Sequence, residues 1–158
     1  MMAEKKYWLM KSEPEDYSID DLEKDGETPW TGVRNYGARN FMRDDMKVGD
    51  GVLFYHSNIS KPVIVGAMEV SSEPYPDPLQ FDPSSKYFDE KSTESDPRWQ
   101  LVDVKFVQKF DDPVTRDAMK EETALDDMEL FRLGRYSITP VTESEWKKIH
   151  DMAGADPK

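Results

Sequence analysis

The chain has no cysteine, which removes disulfides, thiolate zinc sites and cysteine nucleophiles together. His56 and His150 are its only imidazoles, too few for a multi-histidine metal site. No apolar run approaches the roughly 18 residues that a membrane span needs. The opening, MMAEKKYWLMKSEPED, turns acidic too soon for a secretory leader. These absences set the expectation of a chain that is cytoplasmic, or nuclear in a eukaryote, not secreted, not in a membrane, and without metal or cofactor. Positive charge is scarce as well: 21 Lys and Arg stand against 33 Asp and Glu, for a net charge of -12. Non-specific DNA binders coat their contact face with cations, so any nucleic-acid contact here must be local and engage few phosphates. The acid excess itself reads as solubility or as adaptation to high salt. Also missing are a G-x-G-x-x-G turn, a P-loop and a G-x-S-x-G nucleophile elbow, which argues against an enzyme.

What is present is one domain's worth of chain. At 158 residues, residues 1–158 make a single domain with a real core. Four Trp, seven Tyr and seven Phe supply its bulk. Tyr7 to Met10 reads as a strand. Ser18 with Asp21 forms a capping box, and Tyr17 with Leu22 a hydrophobic staple, for a helix from about Ile19 to Lys24. Asn35 caps a second helix to about Arg43, weakened by Gly37. Val52 to His56 and Val63 to Val70 read as an antiparallel pair. A long irregular insertion, about 73–97, carries Pro74, Pro76, Pro78, Pro83 and Pro97. Trp99 to Phe110 reads as the next strand, followed by short helices near Thr115 to Glu121 and Asp126 to Leu133. Tyr136 to Thr139 reads as the last strand. Thr142 with Glu145 caps the C-terminal helix, with Val141 and Trp146 as its staple. The tail from Ala153 is expected to fray. The order predicts an α+β domain, a partly open barrel with helices across its ends.

One segment stands out chemically. Thr28 to Arg43, TPWTGVRNYGARNFMR, carries Arg34, Arg39 and Arg43 and no acid. The preceding Ser12 to Glu27 carries eight acids against one lysine. An aromatic ring such as Trp30 beside an island of positive charge is the pairing that stacks on a base and holds a phosphate. Trp8 and Trp146 sit in periodic elements and read as core. Trp30 and Trp99 sit in loops, and either face each other across a slot for a planar base or plug the barrel ends. Lys11, Ser12, Arg34, Asn35, Tyr55, Ser57, Asn58 and Arg135 form a polar set able to read a base edge or hold phosphates. The competing reading pairs Arg34 and Arg39 with the acid-rich Glu13 to Glu27 segment, and gives Asn35 only its cap.

The pattern also resembles a known family. Tyr7-Trp8-Leu9-Met10-Lys11-Ser12-Glu13-Pro14, Trp30-Thr31-Gly32-Val33-Arg34-Asn35-Tyr36, Val48-Gly49-Asp50 and Phe54-Tyr55-His56-Ser57 are similar to the EVE domain family, from Lys6 to about Met152. The resemblance implies a PUA-like pseudo-barrel of five to six strands and kinship with YTH domains, which read methylated adenine in RNA through an aromatic cage. It implies a non-catalytic module whose partner is nucleic acid carrying a modified base flipped into a pocket; the chain is expected to be a monomer. By the same resemblance Lys11 and Ser12 line that pocket, and Trp30 is its first cage aromatic and Trp99 a later one. Arg34, Asn35, Tyr55 and Ser57 contact the edge or a phosphate, with Arg39 and Arg135 at the rim. Which modification, and whether in DNA or RNA, stays open at this point. A binder of free modified nucleotides is the alternative, and an enzyme acting on a base the third reading.

Overall fold

The computed structural model describes residues 5–157. Eight strands and five short α-helices alternate along it: β1 (Tyr7–Ser12), α1 (Ile19–Asp25), β2 (Glu27–Pro29), α2 (Tyr36–Asn40), β3 (Gly51–His56), β4 (Val63–Val70), β5 (Tyr75–Pro76), β6 (Gln100–Leu101), β7 (Asp103–Thr115), α3 (Arg116–Lys120), α4 (Glu129–Arg132), β8 (Ile138–Val141) and α5 (Glu143–Met152). Six strands make one sheet in the order β2-β7-β4-β3-β1-β8. The β1–β3 pair is parallel and every other neighbour antiparallel. Pairing shifts between Phe54 and Tyr55 on β3, and twice along β4. Such bulges bend a strand and tighten its twist, and the sheet curls into a half-barrel. Gly66 lies within one of these shifts, where a Cβ would run into the Gln108 carbonyl of β7. The α+β class and the PUA-like pseudo-barrel are as expected.

Alternation along the central strands builds two cores. Trp8 and Met10 of β1, with Val52 and Phe54 of β3, pack under Ile19, Leu22 and Ala38 of α1 and α2. Leu9, Leu53 and Tyr55 face the other way, under Met119, Leu130, Trp146 and Ile149 of α3 to α5. A strand buried on both faces reads as a continuous apolar run, as YWLM and VLFY do. Side-chain caps start the helices. Ser18 and Thr142 each accept from the third helical N–H, and Asp21 and Glu145 return the bond. The Trp8 indole N–H donates to the buried Asp50 carboxylate at 3.0 Å, joining β1 to the turn before β3.

Several boundaries differ from the sequence reading. Trp99 to Phe110 is not one strand. Val102 breaks it, so Gln100–Leu101 pairs with Tyr75–Pro76 while β7 runs on to Thr115. The last strand starts at Ile138 rather than Tyr136. The helix expected over Asp126 to Leu133 shrinks to Glu129–Arg132. Past Asn40 the second helix widens into a π-turn, Phe41–Asp45. The tail does not fray at Ala153: that side chain is buried, Ala155 N–H donates to the His150 carbonyl at 2.9 Å, and Gln108 donates to the Asp156 carbonyl at 2.8 Å. Among the described residues, no helix is long and apolar enough to cross a membrane.

Candidate functional site

Because β1 and β3 are parallel, their C-terminal ends emerge side by side. Ser12 pairs with His56, and Ser57 N–H donates to the Ser12 carbonyl at 3.1 Å. β8 runs antiparallel to β1, so its approach, Gly134 to Ser137, arrives at the same edge, where Lys11 N–H donates to the Ser137 carbonyl. A cleft of about 740 Å³ opens there. Its walls are the β1 end with Glu13, Asp16 and Tyr17, the basic island from Thr28 to Asn35, Ser57, Lys86 and Tyr87 of the insertion, and the Gly134–Ser137 approach. Four aromatic residues line it: Tyr17, Trp30, Tyr87 and Tyr136. Trp30 is itself buried, 7% exposed, in the core beside Phe54, with the two rings edge-on and their centroids 5.5 Å apart, so only a margin of it borders the cleft.

Seven of the ten expected residues line this cleft: Lys11, Ser12, Trp30, Arg34, Asn35, Ser57 and Arg135. Their freedom to act differs. The Ser12 hydroxyl lies 2.8 Å from the Tyr17 carbonyl and shapes the turn. Asn35 is a helix cap, its Oδ1 accepting from Ala38 N–H at 3.0 Å, which leaves its amide N–H2 for a ligand. Arg34 is committed to the scaffold. It pairs with Asp77 at 3.0 Å and donates through Nε and Nη2 to the Tyr87 carbonyl at 3.1 and 2.9 Å. Asp77 also accepts from Gly32 N–H at 2.8 Å. The insertion is thereby clamped onto the island, and Tyr87 is laid on the Gly32 backbone. Gly32 has φ +86°, and a Cβ there would come 2.7 Å from the Tyr87 ring. Arg135 is exposed and forms no ion pair among the described residues.

Three expected residues lie elsewhere. Trp99 does not face Trp30 across a slot. It is buried, stacks on Tyr36 at 4.8 Å, and donates its indole N–H to Asp89 at 2.8 Å. Arg39 lies over the Tyr36 ring at 4.7 Å and donates to the Arg98 carbonyl at 2.8 Å. Neither Arg34 nor Arg39 pairs with the Glu13 to Glu27 segment, and Arg43 bonds Asp44. The cations that meet that segment come from afar: Lys109 on Asp20 at 2.6 Å and Lys86 near Asp16 at 4.0 Å. Tyr55 lines a smaller recess of about 180 Å³ beside the cleft, which shares Lys11, Ser57 and Gly134 with it and adds Asn58 and Arg116.

Sequence reasoning missed Tyr17, Tyr87 and Tyr136 as cleft residues. Tyr17 reads as half of a staple, Tyr87 lies in a segment without periodicity, and Tyr136 reads as part of a strand. No local signal separates a tyrosine lining a cleft from one in a core. The electrostatics of the wall are mixed. Burial and a hydrogen bond to Asp25 push the Tyr17 phenol up to about 12, so it stays a neutral donor. Burial, with Arg116 nearby, pulls the Lys11 amine below its usual value; its Nζ donates to the Gly134 carbonyl at 3.0 Å. Glu13 and Asp16 put carboxylates on the same wall. The arrangement offers aromatic faces for a flat ring, hydroxyl and amide groups for its edge, and few free cations for a backbone.

Known proteins share this scaffold. Over 170 aligned residues the chain is 40% identical to thymocyte nuclear protein 1 of Mus musculus, covering 96% of this chain and 75% of the mouse protein. A hypothetical protein from Leishmania major superposes with TM-score 0.93 at 47% identity, with 96% of each chain covered. The crystal structure of human THYN1 protein in complex with 5-methylcytosine-containing DNA superposes with TM-score 0.90 at 37% identity, covering 96% of this chain and 99% of that one. The EVE domain family matches residues 6–152, and with the motifs, the curled sheet and these relatives in agreement, the chain belongs to the EVE domain family.

Proposed function

We propose that the chain is a non-catalytic reader of a modified base in DNA, with 5-methylcytosine as the first candidate, and that it works as a monomer. The observation that carries this is the cleft walled by Trp30, Tyr17, Tyr87 and Tyr136, on a chain 37% identical to a protein crystallised with 5-methylcytosine-containing DNA. An aromatic wall suits a base taken out of the stack, because every base has a π-face. Carboxylates accept from the cytosine N4 amine, and Glu13 and Asp16 supply them. The methyl group adds apolar area that the rings can cover.

Titrating 5-methylcytosine and unmodified oligonucleotides against wild type and Trp30→Ala tests this. The modified oligonucleotide binds more tightly, and the variant loses about 1–3 kcal/mol of that binding. Circular dichroism verifies that the variant is folded. Equal affinity for the two oligonucleotides removes the modified-base reading. The net charge of -12 favours a second reading, a free modified nucleotide as ligand. In that case the nucleoside monophosphate binds as tightly as the strand.

A further inference from the structure

The small recess beside the cleft is basic and polar. Lys11, Tyr55, Ser57, Asn58, Arg116 and Gly134 line it, and no carboxylate does, in a chain with 33 of them. Among the described residues neither Lys11 nor Arg116 forms an ion pair. Arg116 Nε is shut off from solvent and has no hydrogen-bond partner, although its guanidinium lies 5.8 Å from the Phe131 ring centre. An unpaired buried donor on a charged group is costly. Two cations also line the same recess, Lys11 and Arg116, with the Lys11 Nζ donating to the Gly134 carbonyl at 3.0 Å. Lys11 Nζ sits 5.8 Å from the Tyr55 ring centre, and burial, with Arg116 as the lesser cause, lowers the Lys11 amine. An anion in the recess offsets these two charges. It accepts from the terminal guanidinium nitrogens of Arg116, neutralises the Lys11–Arg116 repulsion, and meets the hydroxyls of Tyr55 and Ser57.

We infer that the recess formed by Lys11, Tyr55, Ser57 and Arg116 is a phosphate subsite, serving the nucleotide whose base occupies the adjoining cleft. The two cavities share Lys11, Ser57 and Gly134, so they adjoin. An arginine fork suits a phosphate's oxygens and a lysine adds a point charge. In a protein this acidic, one desolvated phosphate contact holds a nucleotide with little help from the overall field. The pairing of this phosphate with a base rests on the reading above; the anion site itself does not. The phosphate is either a phosphodiester of the strand or the terminal group of a free nucleotide.

Inorganic phosphate titrated into the intact chain, followed by NMR of arginine Nε–H groups, tests the subsite directly. The Arg116 resonance shifts saturably, and the shift is absent in Arg116→Gln; no shift in wild type overturns the subsite, whatever DNA does. With 5-methylcytosine DNA, Arg116→Gln weakens binding about tenfold and lowers the salt slope by about one, while Arg116→Lys keeps most of the slope. Unchanged affinity and slope in Arg116→Gln also overturn the subsite, and leave the modified-base reading standing. If wild type shifts with phosphate but binds no modified DNA, the base reading fails and the subsite survives. Methylphosphonate placed at single linkages identifies a phosphodiester as the source. An Arg116-dependent gain of the nucleoside monophosphate over the nucleoside identifies a terminal phosphate.

Discussion

Arg34 and Asp77, 43 residues apart in the chain, meet at 3.0 Å with the carboxylate almost wholly buried. The most prominent arginine of the basic island therefore holds a wall of the cleft in place. Its charge is spent inside the protein, where it also grips the carbonyl of Tyr87, another residue of the cleft wall.

Breaking the clamp leaves a buried carboxylate without a counter-charge, which costs about 3 kcal/mol or more. Arg34→Met is expected to lower the urea midpoint accordingly. Adding Asp77→Asn costs less than the sum of the two single changes, because the pair is shared. Full stability with lost ligand binding would instead give Arg34 a direct contact.

Gly32→Ala meets two obstacles at once, a positive φ and the Tyr87 ring 2.7 Å from the new carbon. Left-handed backbone alone costs an L-residue about 1–2 kcal/mol. A drop in thermal midpoint is expected together with weaker ligand binding, since Tyr87 must leave its place. Tyr87→Ala in the same background should restore part of the stability, and no recovery would point to the backbone alone.

Trp99 is expected to behave unlike Trp30. Trp99→Phe keeps the stack on Tyr36 and loses the indole bond to Asp89, worth about 1 kcal/mol. Denaturant unfolding reads that loss, while affinity for a modified oligonucleotide stays as in wild type. A loss of affinity at full folding would return Trp99 to the binding site.

Acid weakens the fold through two histidines. Burial pulls both His56 and His150 below the ordinary value of 6.5. The unfolded chain then binds protons that the native state resists, so stability is complete above about pH 6.5 and declines as pH falls toward the folded values. His150 is fully buried, its Nδ1–H placed to donate to the Trp146 carbonyl at 2.8 Å and its Nε2 without a partner. Thermal midpoints between pH 8 and pH 5 should fall more steeply for wild type than for His150→Leu. Equal slopes would shift the acid sensitivity to other groups.

The features legible in the chain are those set by near neighbours. Ser18 with Asp21, Asn35 with Ala38, and Thr142 with Glu145 each close a bond across three residues, and a window of that size contains both partners. Strand alternation is equally local, so β1, β3 and β4 and their two buried faces follow from YWLM, VLFY and VIVGAMEV. The family motifs mark the cleft for the same reason, since Lys11-Ser12 and Trp30 to Asn35 are contiguous stretches.

Partnership across the chain has no such signature. Arg34 has eight acids just upstream and takes Asp77 instead, because folding brings the insertion and not α1 to its guanidinium. Trp30 and Trp99 are both loop tryptophans, yet one meets the cleft and the other stacks on Tyr36. Val102 breaks a run that looks continuous because β6 finds a partner in Tyr75–Pro76, and the tail is pinned by Gln108 of β7. Local bonding chose the elements and their caps. Long-range packing, in which each charge and ring takes the best partner the fold places within reach, chose what every arginine and aromatic is for.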